Sequence, residues 1–149
     1  MEIKTVATNR KANFEYFLLE KYEAGLSLKG TEIKSIRAGQ ISLAESYVLV
    51  EKGQAWLIDA HIAPYNPGSR NNHDPRRPRR LLLHKKELRK MTGEVAQRGV
   101  TVVPIRVYIK DGRAKIEIAL AKGKKLYDKR DAIARRDAER EQARGLRDG

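Results

Sequence analysis

Apolar residues cluster or alternate in several stretches of the chain, separated by polar, Gly- and Pro-containing segments. The first, FEYFLLEKY at 14–22, is rich in aromatics and predicts a strand. Tyr16 and Leu18 fall on one face and Phe17 and Leu19 on the other, so both faces are expected to be buried. Glu23-Ala24-Gly25 predicts a break or kink, after which Leu26-Ser27-Leu28 resumes the alternation. Upstream, residues 1–12 are polar and basic and read as a loose arm ending in Asn9, Arg10 and Lys11.

Residues 30–39, GTEIKSIRAG, carry helix signals in the right order. Thr31 suits an N-cap, Glu32 the first turn, Ile33 and Ile36 one face, Arg37 the last turn and Gly39 the stop. SYVLVE at 46–51 and QAWLIDAHI at 54–62 flank Lys52-Gly53, a hairpin signal. Residues 63–80 hold four prolines and no apolar period, which predicts a long loop. A second helix follows at about 83–97, with Leu83, Leu88, Met91 and Val95 on one face and Arg98-Gly99 as its end; Gly93 weakens it. Ile105, Val107 and Ile109 then alternate up to Asp111-Gly112, and Ala114, Ile116, Ile118 and Leu120 alternate away from it, the clearest hairpin in the chain.

From Lys122 onward the pattern stops. This tail has ten basic and six acidic residues and few apolar ones. Asp131 and Arg135 form a helix-compatible pair, but Arg136 with Arg140 and Asp137 with Glu141 oppose it. The tail is expected to be disordered alone and helical on a partner. The whole is mainly β, with five or six antiparallel strands. A strand-rich body of this size closes into a barrel or sandwich. A closed antiparallel β-barrel of the oligonucleotide-binding (OB) type, with two to three helices, fits best. The expected division is residues 1–121 as barrel and 122–149 as basic tail.

Charge adds a partner to this picture. The chain has 149 residues, 32 Lys and Arg against 19 Asp and Glu, and a formal net charge of +13. That balance favours a polyanion, nucleic acid first and an anionic membrane surface second. There is no cysteine, which excludes disulfides, thiol catalysis and Cys-type zinc sites and suits a reducing cytoplasm. The N-terminal residues have no apolar run resembling a signal peptide, and no stretch is long enough to span a bilayer.

Enzyme chemistry finds little support. His61, His73 and His84 have no metal spacing, and no phosphate-cradling Gly-rich loop, GxSxG or dinucleotide fingerprint is present. His73-Asp74 in the Pro/Arg loop leaves a small nuclease as one alternative. No cofactor or metal is expected. Between Arg70 and Lys90 there are nine Lys/Arg and two acids, a density that like-charge repulsion opposes unless an anion binds. Arg76, Arg77, Arg79 and Arg80 are the candidate RNA contacts in this run, with Lys34 and Arg37 on the first helix and Arg10 and Lys11 at the end of the N-terminal arm. Phe14, Phe17 and Trp56 are expected in the core. Tyr65 and Tyr127 lie beside cations outside any strand, where a ring could stack on a base or pack on the surface. Glu23 is acidic on a basic chain; by composition it is more readily structural than an acceptor for base amino groups.

Four segments together resemble the SmpB (SsrA-binding protein) family: GTEIKSIR at 30–37, SYVLV at 46–50, D-P-x-R-x-R-x-L-L-L at 74–83, and AKGKKLYDKR at 121–130. The resemblance runs from about Asn9 into the tail. It implies an OB-type barrel and a non-enzymatic bacterial ribosome-rescue factor. Such a protein binds the tRNA-like domain of tmRNA (SsrA RNA). With EF-Tu and GTP escorting alanylated tmRNA, it acts on stalled 70S ribosomes, and the nascent chain receives a degradation tag. By motif it places RNA contacts at Asn9, Glu23 and Leu82, and tail contacts at Lys122, Lys124, Lys125, Asp128, Lys129 and Arg130. Tyr127, Arg135 and Arg136 complete the expected tail set, facing small-subunit ribosomal RNA in the decoding centre and empty mRNA channel. Position 127 is often His in that family, and the Pro/Arg loop is variable in it. A general ribosomal-RNA-binding protein on the same barrel remains the other alternative.

Overall fold

A computed structural model describes residues 3–65 and 72–124. The elements in chain order are β1 (Ile3–Thr8), α1 (Lys11–Glu15), β2 (Tyr16–Leu26), α2 (Gly30–Arg37), β3 (Ile41–Ser42), β4 (Tyr47–Glu51), β5 (Gln54–Ile58), β6 (His61–Ile62), β7 (Arg79–Leu82), α3 (Lys85–Arg98), β8 (Thr101–Lys110) and β9 (Arg113–Gly123). The fold is mainly β with three helices among the described residues.

The expected loose arm is in fact a strand and a helical turn. β1 pairs antiparallel with β8 from Ile3↔Lys110 to Thr8↔Arg106. Its exposed residues hid it, because an edge strand has few apolar positions to announce it. β2 begins at Tyr16, and no break occurs at residues 23–25; the register shift lies between Leu18 and Glu20. Burial still alternates along the whole strand, through the shift. Phe17 and Leu19 are about half exposed rather than buried, while Phe14, in α1, and Trp56 are only partly buried.

Both predicted hairpins form. Lys52-Gly53 and Asp111-Gly112 both turn with positive φ at each residue, the geometry that matches strand twist. The second predicted strand splits, however: Asp59 adopts a positive φ, and His61–Ile62 pairs with β3 as a separate two-stranded sheet. The Pro/Arg loop ends in β7, which pairs with β5 and β2.

Seven strands run in the order β1-β8-β4-β5-β7-β2-β9, and β9 also pairs with β8. β8 is long enough to serve two partners on one edge, β4 at Val102 and β1 from Arg106 onward. The main core collects the inward residues of these strands, including Tyr22, Ala24, Val48, Leu57, Leu81, Val107, Ile116 and Ile118, with Ile36 of α2 and Met91 of α3. A second cluster joins Ala12 of α1 to Val103, Ile105, Ala119 and Ala121. The alanines keep that outer face shallow, so the five-residue helix lies close against the sheet.

α2 is capped differently from expectation. Lys29 is the N-cap, and Glu32 reaches back to accept its amide at 2.8 Å. Thr31 instead meets His73 Nδ1 at 2.9 Å. α3 repeats the device, Glu87 accepting from the His84 amide at 3.2 Å, and Leu83 precedes the helix rather than entering it.

Candidate RNA-binding face

The strand register builds the candidate face row by row. Gly25 on β2 stands opposite Leu82 of β7 on one side and Lys115 of β9 on the other. Lys115 in turn stands opposite Tyr108 of β8. One step along β2, Glu23 stands opposite Glu117, whose β8 neighbour is Arg106. All these side chains lie on the outer face, because the alternate residues Tyr22, Ala24, Ile116 and Val107 are core.

Gly25 leaves a gap in its row. A Cβ there would lie 3.3 Å from the Leu82 Cβ, so the glycine lets Leu82 lean across the strand. A groove of about 300 Å³ opens beside it, lined by Leu28, Ile33, Leu82, Gly112, Arg113 and Lys115, among others. Leu82 is 49% exposed, an unusual place for the middle of a leucine triplet. β7 explains it: Leu81 points into the core and Leu82 must point out.

Glu23 is held rather than free. Its carboxylate accepts from the Tyr108 hydroxyl, and Lys110 Nζ lies 3.4 Å from both its oxygens. The Tyr108 bond, then Lys110 and Lys115, hold the carboxyl below its ordinary range against a smaller opposing effect of burial. Burial and the Glu23 charge push the Tyr108 phenol up. Glu23 is therefore ionised at neutral pH and Tyr108 is a donor.

The remaining expected contacts divide. Arg76 and Arg80 are exposed, Arg80 opposite Trp56; Arg76 also donates to the Asp59 carbonyl at 3.3 Å. Arg79 is 0% exposed and has no surface to offer a phosphate, which corrects its assignment as a contact. Its Nε donates to Glu32 at 2.6 Å, and its other nitrogens to the carbonyls of Ala60, Asp74 and Pro75. Arg77 also pairs with Glu32 and keeps only part of its side chain in solvent. Burial opposes the charge on Glu32, but bonds from Arg77, the Lys29 amide and Arg79 outweigh it and hold the carboxyl low.

Asn9 is engaged by the fold. Its Nδ2 donates to the Pro104 carbonyl at 2.9 Å and its amide to Ile105 at 2.7 Å, latching the chain where the β8–β9 register shifts. Arg10 and Lys11 are exposed beside it. Arg37 donates to the Gly112 carbonyl at 3.0 Å and ties α2 to the tip of the β8–β9 hairpin. Lys34 lies 5.5 Å over the exposed Tyr65 ring. The nuclease alternative loses its base: His73 is buried, with Nε2 on the Ile62 carbonyl at 2.8 Å and Nδ1 on Thr31. No cluster of three or more metal-ligating side chains occurs among the described residues.

At the tail exit, Lys122 is exposed opposite Phe17. Lys124 is bound back to the body: its amide donates to Glu15, and its Nζ donates to the Asn13 carbonyl at 3.1 Å and sits 5.0 Å over the Phe17 ring. Lys125, Tyr127, Asp128, Lys129, Arg130, Arg135 and Arg136 lie outside the described residues. Sequence reasoning missed Arg106, Tyr108, Lys110, Arg113 and Lys115. The polar positions between the inward residues of β8 and β9 were the available signal.

Residues 6–148 match the family model described as SmpB protein. The SsrA-binding protein of Desulforudis audaxviator is 58% identical over 97% of this chain and 94% of its own. That of Carboxydothermus hydrogenoformans is 53% identical over 97% of each. A chain in a solved structure described as "tmRNA-SmpB: a journey to the center of the bacterial ribosome" is 48% identical, with a TM-score of 0.68 over 85% of this chain and 92% of that one.

Proposed function

Since the chain belongs to the SmpB family, we propose that it is the tmRNA-binding adaptor of trans-translation, acting on stalled bacterial ribosomes without catalysing a reaction. The match over residues 6–148 carries this reading. Its seven-stranded sheet serves as an OB-type barrel; the β8–β9 pairing, which joins the last strand of the run back to the second, supports closure.

The face around Glu23, Leu82 and Lys115 meets the tRNA-like domain of tmRNA. Folded RNA is recognised by shape, phosphates and 2′-hydroxyls. Leu82 in its groove supplies a shape contact, and Lys115, Arg113, Arg80 and Arg76 supply charge. Glu23 repels phosphate, so its partners are N–H or O–H donors of RNA. The tail beyond Lys124 enters the decoding centre and empty mRNA channel, and EF-Tu with GTP accompanies the alanylated tmRNA. The setting is the cytoplasm; no helix among the described residues is long and apolar enough to cross a membrane.

The test is a gel shift with a transcript of the tRNA-like domain, paired with a tagging assay on ribosomes stalled without a stop codon. The intact protein is expected to bind the transcript in preference to bulk ribosomal RNA and to support tagging. Equal binding to both RNAs would favour a general ribosomal-RNA-binding protein instead.

A further inference from the structure

We propose that Tyr108 is a positioning residue for RNA recognition: its phenol fixes the Glu23 carboxylate in the orientation in which it meets RNA. This rests on the assignment of the Glu23 face to tmRNA above. A glutamate on the outer face of a strand ordinarily samples several rotamers. Glu23 is restrained instead by a donor whose ring is itself buried.

Tyr108 points outward from β8 yet is only 2% exposed. The Arg106 guanidinium covers its ring at 4.4 Å. Arg106 is in turn pinned by Glu117 of β9 at 3.6 Å and by Thr5 of β1 at 3.2 Å. Three strands therefore clamp one ring, whose hydroxyl reaches over β9 to the carboxylate of β2. Phenylalanine would fill the same space; the hydroxyl adds only the bond to Glu23. Lys110 stands farther off and lowers the local charge, Lys115 and Glu117 flank the pair, and neither replaces a short directional donor. A carboxylate has about four acceptor sites, so after Tyr108 and Lys110 it retains capacity for a base amino group or a ribose hydroxyl.

The experiment is a double-mutant cycle of Tyr108→Phe and Glu23→Ala in the full chain. Binding to the tRNA-like-domain transcript is measured at several salt concentrations, with thermal melting alongside. In the otherwise native protein, Tyr108→Phe is expected to weaken binding about tenfold, with the salt slope unchanged. In the Glu23→Ala background it is expected to change affinity by less than about twofold. Equal losses in both backgrounds would make Tyr108 merely structural and overturn the proposal. No loss from Tyr108→Phe, with a clear loss from Glu23→Ala, would overturn it while leaving the proposed function intact. No loss from either would remove Glu23 from the RNA face and end both assignments.

A second readout needs no variant. The Tyr108 hydroxyl proton is expected to exchange slowly with solvent, by NMR, in the free protein and in the RNA complex. Fast exchange in the complex would overturn the proposal even if Tyr108→Phe does not fold.

Discussion

Glu32 and Arg79 are both fully buried and lie in contact, Oε2 to Nε at 2.6 Å. The pair joins α2 to the first residue of β7, and β7 carries Leu82 onto the proposed RNA face. Removing one partner of such a pair strands the other charge. Glu32→Gln is expected to lower stability at neutral pH by about 3–5 kcal/mol. The Glu32 carboxyl is held low in the folded protein. Its stabilising effect is therefore present above the ordinary carboxylate range and is lost as pH falls through the folded value. Urea melts at pH 7 and in acid should show the gap between native and variant narrowing below about pH 4.5. A gap that stays constant would show that Glu32 ionisation is not what the pair depends on.

Neighbouring leucines of β7 are expected to separate stability from binding. Leu81 is 4% exposed and Leu82 is 49% exposed. Leu81→Ala is expected to cost about 2–5 kcal/mol of stability, as core truncations do. Leu82→Ala should leave the melting temperature within a few degrees of the native value and weaken the gel shift. The opposite ranking would move Leu82 back into the core.

Salt dependence should sort the arginine run. Neutralising Arg76 or Arg80 is expected to lower the slope of log affinity against log salt by about one each. Arg79→Gln is expected to act through folding: the loss appears in the melt, and the slope in the surviving folded fraction is unchanged. A slope change from Arg79→Gln, with stability intact, would contradict its burial.

Where the tail is cut decides what is lost. β9 runs to Gly123, Ala121 is fully buried, and Lys124 is tied to α1 and β2. Truncation after Lys124 is expected to keep tmRNA binding and abolish tagging on stalled ribosomes. Truncation after Leu120 removes ladder positions opposite Leu18, Phe17 and Tyr16 and should also lower the melting temperature. If the shorter truncation alone abolished the gel shift, the tail would belong to the tmRNA-binding surface.

The sequence made the hairpins and α2 legible because their turn residues and periods are local. It could not reveal Arg79, since a buried arginine and a solvated one look alike inside a basic run. What distinguishes them is Glu32, 47 residues away, and only the fold brings it near. β1 was missed because its pairing, not its composition, makes it a strand. Only the family resemblance singled out Glu23 and Leu82 as expected contacts. Lys115 and Tyr108 became visible only through register, which set them in the row of Gly25 and Leu82.

The β2–β9 ladder carries a consequence for how the protein is made. β2 pairs with β9 along nearly its whole length, from Tyr16↔Gly123 to Gly25↔Lys115, so the beginning and end of the body are partners. Pairings this distant in sequence form slowly and late. During synthesis β2 must wait for almost the whole body to emerge before it finds its neighbour. A copy truncated before β9 by a broken message would leave β2 and β8 without their common partner. This chain thus completes its own sheet only once translation has run through the end of β9 at Gly123.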